Sequence, residues 1–174
     1  MFQGTKISVN HCALTEEGVE LEYLEGMYTL EEGLHHLWQS GKKEKAMKYL
    51  NIYIEIIRES ATEPFKMTDE FREIFGAPNL PKDLYSMPVS DIDMVLGNIL
   101  VGKGWNLIDY EWTFDFPIPV DFVIFRVIHY FLHGNEDISK HDLAPYFQEE
   151  GISPDLIPVY LEMEKSFQDY VVRG

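Results

Sequence analysis

The stretch SDIDMVLGNILVGKGWNLIDYEW, Ser90 to Trp112, interleaves Asp91, Asp93, Asn98, Asp109 and Glu111 with apolar runs of the kind that become core. Within it, NILVGKGWNLIDY has the grammar of a hairpin: Ile99 to Val101, a turn at Gly102-Lys103-Gly104, and Trp105 to Ile108 returning. A tight hairpin brings the residues at its two open ends together. Asn98 and Asp109 therefore face one point in space, with Asp93 approaching from the preceding loop, and an amide oxygen plus carboxylates is hard-ligand chemistry suited to Mg²⁺. A separate carboxylate nearby can accept a proton from a hydroxyl nucleophile. Asp and Asn are also common at turns, where they cap local backbone groups, and the spacing accommodates both readings. Asp109 and Glu111 alternate along a strand and share one face, so with Trp105, Tyr110 and Trp112 close by, a sugar site with paired carboxylates is a further reading.

Composition bounds what surrounds this stretch. A chain of 174 residues is long enough for one domain that buries roughly two thirds of its unfolded surface. Hydrophobic residues make up 45%, including 11 Phe, 10 Tyr and 3 Trp, which is ample for a core. Thirty acids against fourteen basic residues give a formal charge of -16, which repels nucleic acid and anionic membrane. The short basic run GKKEK, Gly41 to Lys45, reads as a solvated helix start. A single cysteine, Cys12, excludes an internal disulfide and fits a reducing compartment. The N-terminal residues lack a positively charged segment leading into an apolar run, and no stretch is apolar for the length of a membrane span. A cytoplasmic protein without membrane insertion is the expectation.

Outward from the acidic stretch, the elements follow from periodicity. Apolar alternation around Glu16-Glu17-Gly18 predicts a first hairpin over 6–24. Thr29 with Glu32 forms a capping box before Leu30, Leu34, Leu37 and Trp38. Ala46, Leu50, Tyr53, Ile54 and Ile57 share one side of a longer helix, and Thr68 to Phe75 is a short one ended by Gly76, so a helical core occupies 29–76. Residues 76–88 read as loop. The loop and hairpin of 90–112 come next, then a nearly all-apolar helix over 121–132, in which Arg126 argues against a membrane span. Two helical pieces over 139–172 close the chain, from Ser139 and from Ser153, with Pro145 and Pro158 shortening or bending them. His129 and His133 lie four apart on the buried helix, but a metal reading lacks a third ligand, and His35 and His36 sit on a solvated or half-buried helix face. This order predicts a mostly helical α+β fold with two small β-hairpins.

DIDMVLGNILVGKGWNLIDYEW resembles the catalytic segment of the kinase-like aminoglycoside and choline phosphotransferases. There an H-x-D-x-x-x-x-N loop is followed by a hairpin and an isoleucine-aspartate-x-acid motif. The resemblance implies Asp93 as catalytic aspartate, Asn98 as the asparagine that holds Mg²⁺, and Asp109 as the aspartate bridging metal and nucleotide phosphates. Glu111 matches the second acid of the later motif and would join Asn98 and Asp109 at the metal. Mg²⁺ and ATP are the implied cofactors of an active member. Asp91 stands where the family has histidine, which implies loss of a structural partner of the loop, and the hairpin is slightly short. VELEYLEGMYTLEEGLHHL is similar to the edge strand, linker and first helix of the family's large lobe. KKEKAMKYLNIYIEIIRES would be the long helix beneath the catalytic loop. Asp121 would hold that loop through its backbone N–H groups; a simple helix N-cap is the other reading. The tryptophan and the P-x-x-x-F…R neighbourhood around PIPVDFVIFRVIHYF are also similar to kinase-like segments attached to methyltransferases and glycosyltransferases of bacterial surface-polysaccharide synthesis.

The resemblance covers Val19 to Leu132 and implies a single truncated kinase-like large-lobe domain over 1–174. A working member carries a glycine-rich loop over the phosphates and a strand lysine paired with a helix glutamate; this sequence has no G-x-G-x-x-G, and Lys6 precedes the strand where such a lysine belongs. The leading expectation is a degenerate or non-catalytic kinase-like accessory module, linked to glycosyltransferase or methyltransferase systems. The alternative is a minimal Mg²⁺-dependent phosphotransferase acting on a small hydroxyl compound, and a third is an unrelated α+β fold whose acids are caps and surface groups. The edge of the N-terminal hairpin is the expected place for a protein partner or for self-association.

Overall fold

The computed structural model describes residues 7–16, 18–102, 104–134 and 144–173. Helix α1, Leu30–Gln39, is begun by Thr29, whose hydroxyl accepts from the Glu32 amide at 3.1 Å while Glu32 Oε2 accepts from the Thr29 amide at 2.8 Å. This is the reciprocal capping box that the sequence predicts. Helix α2, Lys43–Glu59, packs on α1 and buries the five positions read from its periodicity, with Ile56 in addition. Helix α3, Asp69–Phe75, is capped by Thr68 and ends at Gly76, whose φ of 76° is left-handed backbone that glycine adopts without a steric cost. Helix α4, Val120–His133, is apolar on nearly every side and is accordingly the central, buried helix of the structure, packed against α2. Helix α5 spans Ala144–Glu149 and α6 spans Leu156–Arg173. Pro145 and Pro158 fall in first turns, where a missing N–H breaks no helical bond, so they set the starts of these helices and do not bend them. Residues 139–143 of the expected helix lie outside the described residues.

The strands are short: β1 Ile7–Val9, β2 Cys12–Thr15, β3 Gly18–Leu21, β4 Tyr28–Thr29, β5 Glu63–Pro64, β6 Tyr85–Ser86, β7 Ser90–Asp91, β8 Ile99–Val101, β9 Trp105–Leu107 and β10 Thr113–Phe114. The second expected hairpin is present as β8 and β9, with Ile99 opposite Leu107 and Val101 opposite Trp105. It forms the middle of a four-stranded sheet ordered β1-β9-β8-β4. The first hairpin differs from the expected 6–24. Only Cys12–Thr15 and Gly18–Leu21 pair with each other, while Ile7–Val9 leaves them to run parallel to β9. The reason is burial: a two-stranded ribbon has no interior, whereas beside β9 Ile7 is buried in the core. Lys6 lies outside the described residues. Two small ladders were not expected: β5, within the expected helical core of 29–76, pairs with β6, inside the expected loop, and β7 pairs with β10. The architecture is a mixed α+β fold dominated by helix.

Candidate functional site

The β7–β10 ladder decides where the acidic residues go. Asp91 pairs with Thr113, and the Ile92 amide donates to the Trp112 carbonyl at 3.3 Å, so both ends of the acidic stretch are tied side by side. Between them the chain makes one 3₁₀ turn, Leu96–Asn98, and enters β8. At the open end of the hairpin the Ile108 amide donates to the Asn98 carbonyl at 3.0 Å. This closure brings Asp109 and Glu111 back beside Asp93. One carboxylate oxygen from each of Asp93, Asp109 and Glu111 lies within 4.8 Å of the others, the one grouping of three potential metal ligands found among the described residues. Oxygens on opposite sides of a Mg²⁺ or Ca²⁺ ion stand about 4–5 Å apart, so the three fit around a single hard cation. Asp93 is half-buried and the other two are exposed.

Asn98 takes a supporting position. Its side-chain amide donates to the Asp93 carbonyl oxygen at 3.0 Å, which fixes the loop across the four residues between them and leaves the amide oxygen as the acceptor. Asp91 is wholly buried, with Oδ1 accepting from the Asp93 amide at 2.8 Å and Oδ2 making no hydrogen bond. The expected loss of a structural partner at this position is therefore corrected: Asp91 itself clamps the turn that presents Asp93. Burial pushes the Asp91 carboxyl up to about 7; the Asp93 amide and Arg126 oppose the shift, while Asp93 and Asp109 add repulsion. Burial also raises Asp93, reinforced by Asp109 and Glu111 and opposed by Arg126.

Arg126 is the cation that holds this acid in place. It projects from α4 with its side chain 4% exposed, donates through Nη1 to the Ile92 carbonyl, and pairs with Asp93 Oδ1 at 3.3 Å and Glu164 Oε2 at 2.7 Å. Glu164, on α6, also accepts from Tyr130 at 2.6 Å and from Gln168 at 2.9 Å. From α2 the Tyr53 hydroxyl donates to the Met94 carbonyl at 2.7 Å. Three helices thus grip the loop. Asp121 lies in the first turn of α4, whose N-cap is Pro119, so the simple N-cap reading is corrected; burial raises its carboxyl, opposed by Arg58 and reinforced by Asp83. His129 and His133 stack with ring centroids 4.2 Å apart, and His133 Nδ1 bonds to the His129 carbonyl, so the pair is engaged with itself.

The expected metal set was Asn98, Asp109 and Glu111 with Asp93 apart as the catalytic aspartate; the structure brings together Asp93, Asp109 and Glu111 with Asn98 tied to the Asp93 carbonyl, and Arg126 and Glu164 were not expected. The available signal was Arg126 itself, one cation in an otherwise apolar helix, which must meet a buried anion to be tolerated there. Comparisons with family models, curated proteins and solved structures return no match to the chain. No helix among the described residues is long and apolar enough to cross a membrane.

Proposed function

We propose that the chain is a kinase-like large-lobe module that binds a divalent cation, with Mg²⁺ the natural candidate, and serves as an accessory or interaction module alongside a partner protein. The observation that supports this reading is the convergence of Asp93, Asp109 and Glu111 within 4.8 Å. Burial chiefly raises the Asp91 and Asp93 carboxyls, repulsion adds to it, from Asp93 and Asp109 on Asp91 and from Asp109 and Glu111 on Asp93, and Arg126 is the one cation acting on both. A bound cation would relieve that repulsion and could bridge phosphate oxygens. Asp93, Asp109 and Glu111 would hold it, with the Asn98 amide oxygen as a further donor. The partner fits the β2–β3 hairpin, where the cross-strand pair Leu14 and Val19 is 86% and 64% exposed and Tyr23, beyond its open end, is 87% exposed.

One observation favours catalysis as a second reading. Asp93 is half-buried and its carboxyl is raised, which suits a base that accepts the proton of a hydroxyl nucleophile. Phosphoryl transfer from ATP to a small hydroxyl compound would then leave that proton on Asp93 and ADP as the other product. Calorimetric titration with Mg²⁺, Mn²⁺ and Mg²⁺-ATP, repeated on Asp109→Asn and Glu111→Gln, tests both readings. Saturable metal binding lost in both variants supports the cation site, and ADP formation with an acceptor hydroxyl would establish the enzyme. Absence of metal-dependent heat or thermal stabilisation at millimolar Mg²⁺ and Mn²⁺ would refute the proposal.

A further inference from the structure

A cavity of about 630 Å³ opens between α1, α2 and the β4–β8–β9 part of the sheet, and it shares no lining residue with the acidic site. Its volume is that of a pocket for a small organic molecule. Tyr28, Tyr49 and Trp105 supply aromatic walls, Leu37 and Val101 the apolar floor. Gly33 explains one wall. A Cβ at that position would stand 2.9 Å from Tyr28 Cε2, so the absence of a side chain is what lets the Tyr28 ring come this close to α1. Glycine is the least favoured ordinary residue inside a helix, and here its place has a packing reason.

The charge at the mouth narrows the ligand. Lys45 lines the cavity and makes no ion pair among the described residues, although the chain carries thirty acids. Its Nζ rests 5.9 Å from the Tyr49 ring centroid. The acid on the same wall, Glu32, is engaged with the Thr29 amide in the capping box, and His36 lies one turn along. Aromatic walls beside an ammonium group that makes no ion pair among the described residues suit one class of occupant. We propose that this cavity binds a planar aromatic organic anion, its ring held between Tyr28 and Trp105 and its carboxylate, sulfonate or phosphate group paired with Lys45.

Because this inference is independent of any metal, the titration is run in excess chelator. The probe is 1-anilinonaphthalene-8-sulfonate, with neutral N-phenyl-1-naphthylamine as its uncharged counterpart, and Trp-to-probe energy transfer reports proximity to Trp105. One saturable site is expected for the sulfonate. Lys45→Glu should weaken it about tenfold while changing the neutral probe by less than about twofold. Gly33→Ala displaces the Tyr28 wall and should weaken both probes, with urea stability equal to or above that of the unchanged protein. Sulfonate binding that is unaltered in both variants, or multiple weak sites of equal affinity, would overturn the proposal, as would failure of the unchanged protein to bind at all.

Discussion

Replacing Arg126 by Met should be among the most damaging single substitutions available in this chain. The guanidinium is 4% exposed and lies between the Glu164 and Asp93 carboxylates, which are 9% and 16% exposed, while also satisfying the Ile92 carbonyl. Its removal orphans a buried carboxylate and a buried backbone acceptor together. Loss of one partner from a buried ion pair costs about 3–5 kcal/mol, a large part of the roughly 5–15 kcal/mol that holds a domain of this kind together. The assay is urea unfolding followed by circular dichroism at pH 7, with the double variant Arg126→Met/Glu164→Met beside it. The double variant should recover part of the loss, because no buried charge on α6 is then left alone. pH supplies an internal control. Burial pushes the Glu164 carboxyl up, but Arg126, Tyr130 and Gln168 outweigh burial and hold it below its ordinary value. Its contribution is therefore present above the ordinary carboxylate range and is lost as pH falls through the lower folded value. In Arg126→Met burial is left with much less to oppose it, so the gap between the variant and the unchanged protein should widen as pH rises from about 3 to about 6. A single-variant loss below about 1 kcal/mol, the level of an exposed pair, or a gap independent of pH, would refute the reasoning.

Two further outcomes are expected, besides those stated for the metal site and the cavity. In chelator, stability should fall as pH rises through about 7, because Asp91 is raised from 3.8 to about 7 on folding. A group raised in the folded state contributes fully below its unfolded value and loses that contribution as pH passes its folded one. The shift sets an upper bound of about 4 kcal/mol, and Asp91→Asn should flatten this part of the pH profile in equilibrium unfolding. Tyr53→Phe removes the hydroxyl that satisfies the Met94 carbonyl and should cost about 1–3 kcal/mol in the same assay; if the site is a cation site, it should also weaken Mn²⁺ binding by loosening the loop.

What could be read in the sequence was what local chemistry decides. The capping box at Thr29 and Glu32, the stop at Gly76 and the buried stripe of α2 are each determined within a few residues of themselves, and all are present as expected. The hairpin at 99–107 was legible because Gly102 and Gly104 flank a turn between two apolar runs, and with it came the meeting of Asp93 and Asp109. What was illegible depends on partners far apart in the chain. Ile7 appears in the sequence as part of a local hairpin and is instead paired beside Trp105. Glu164 looks like an ordinary surface acid of an amphipathic helix, and only the packing of α6 on α4 turns it inward to Arg126. Asp91 read as a missing histidine, because a buried carboxylate that holds a turn has no local signature apart from its apolar neighbours.

The parallel pairing of β1 with β9 also bears on how the molecule comes into being. Ile7 and Trp105 are 98 positions apart (105 minus 7), so the sheet spans more than half the chain and raises its contact order. At a synthesis rate of about 5–20 residues per second, β9 leaves the ribosome roughly 5–20 seconds after β1. The α1–α2 pair, joined by a few residues, has time to form first. On this order of events the sheet is closed from the C-terminal side, and the loop carrying Asp93 is fixed only once α4 and α6 have arrived to deliver Arg126 and Glu164. The candidate site would then be a late product of folding, complete only once α6 has been made.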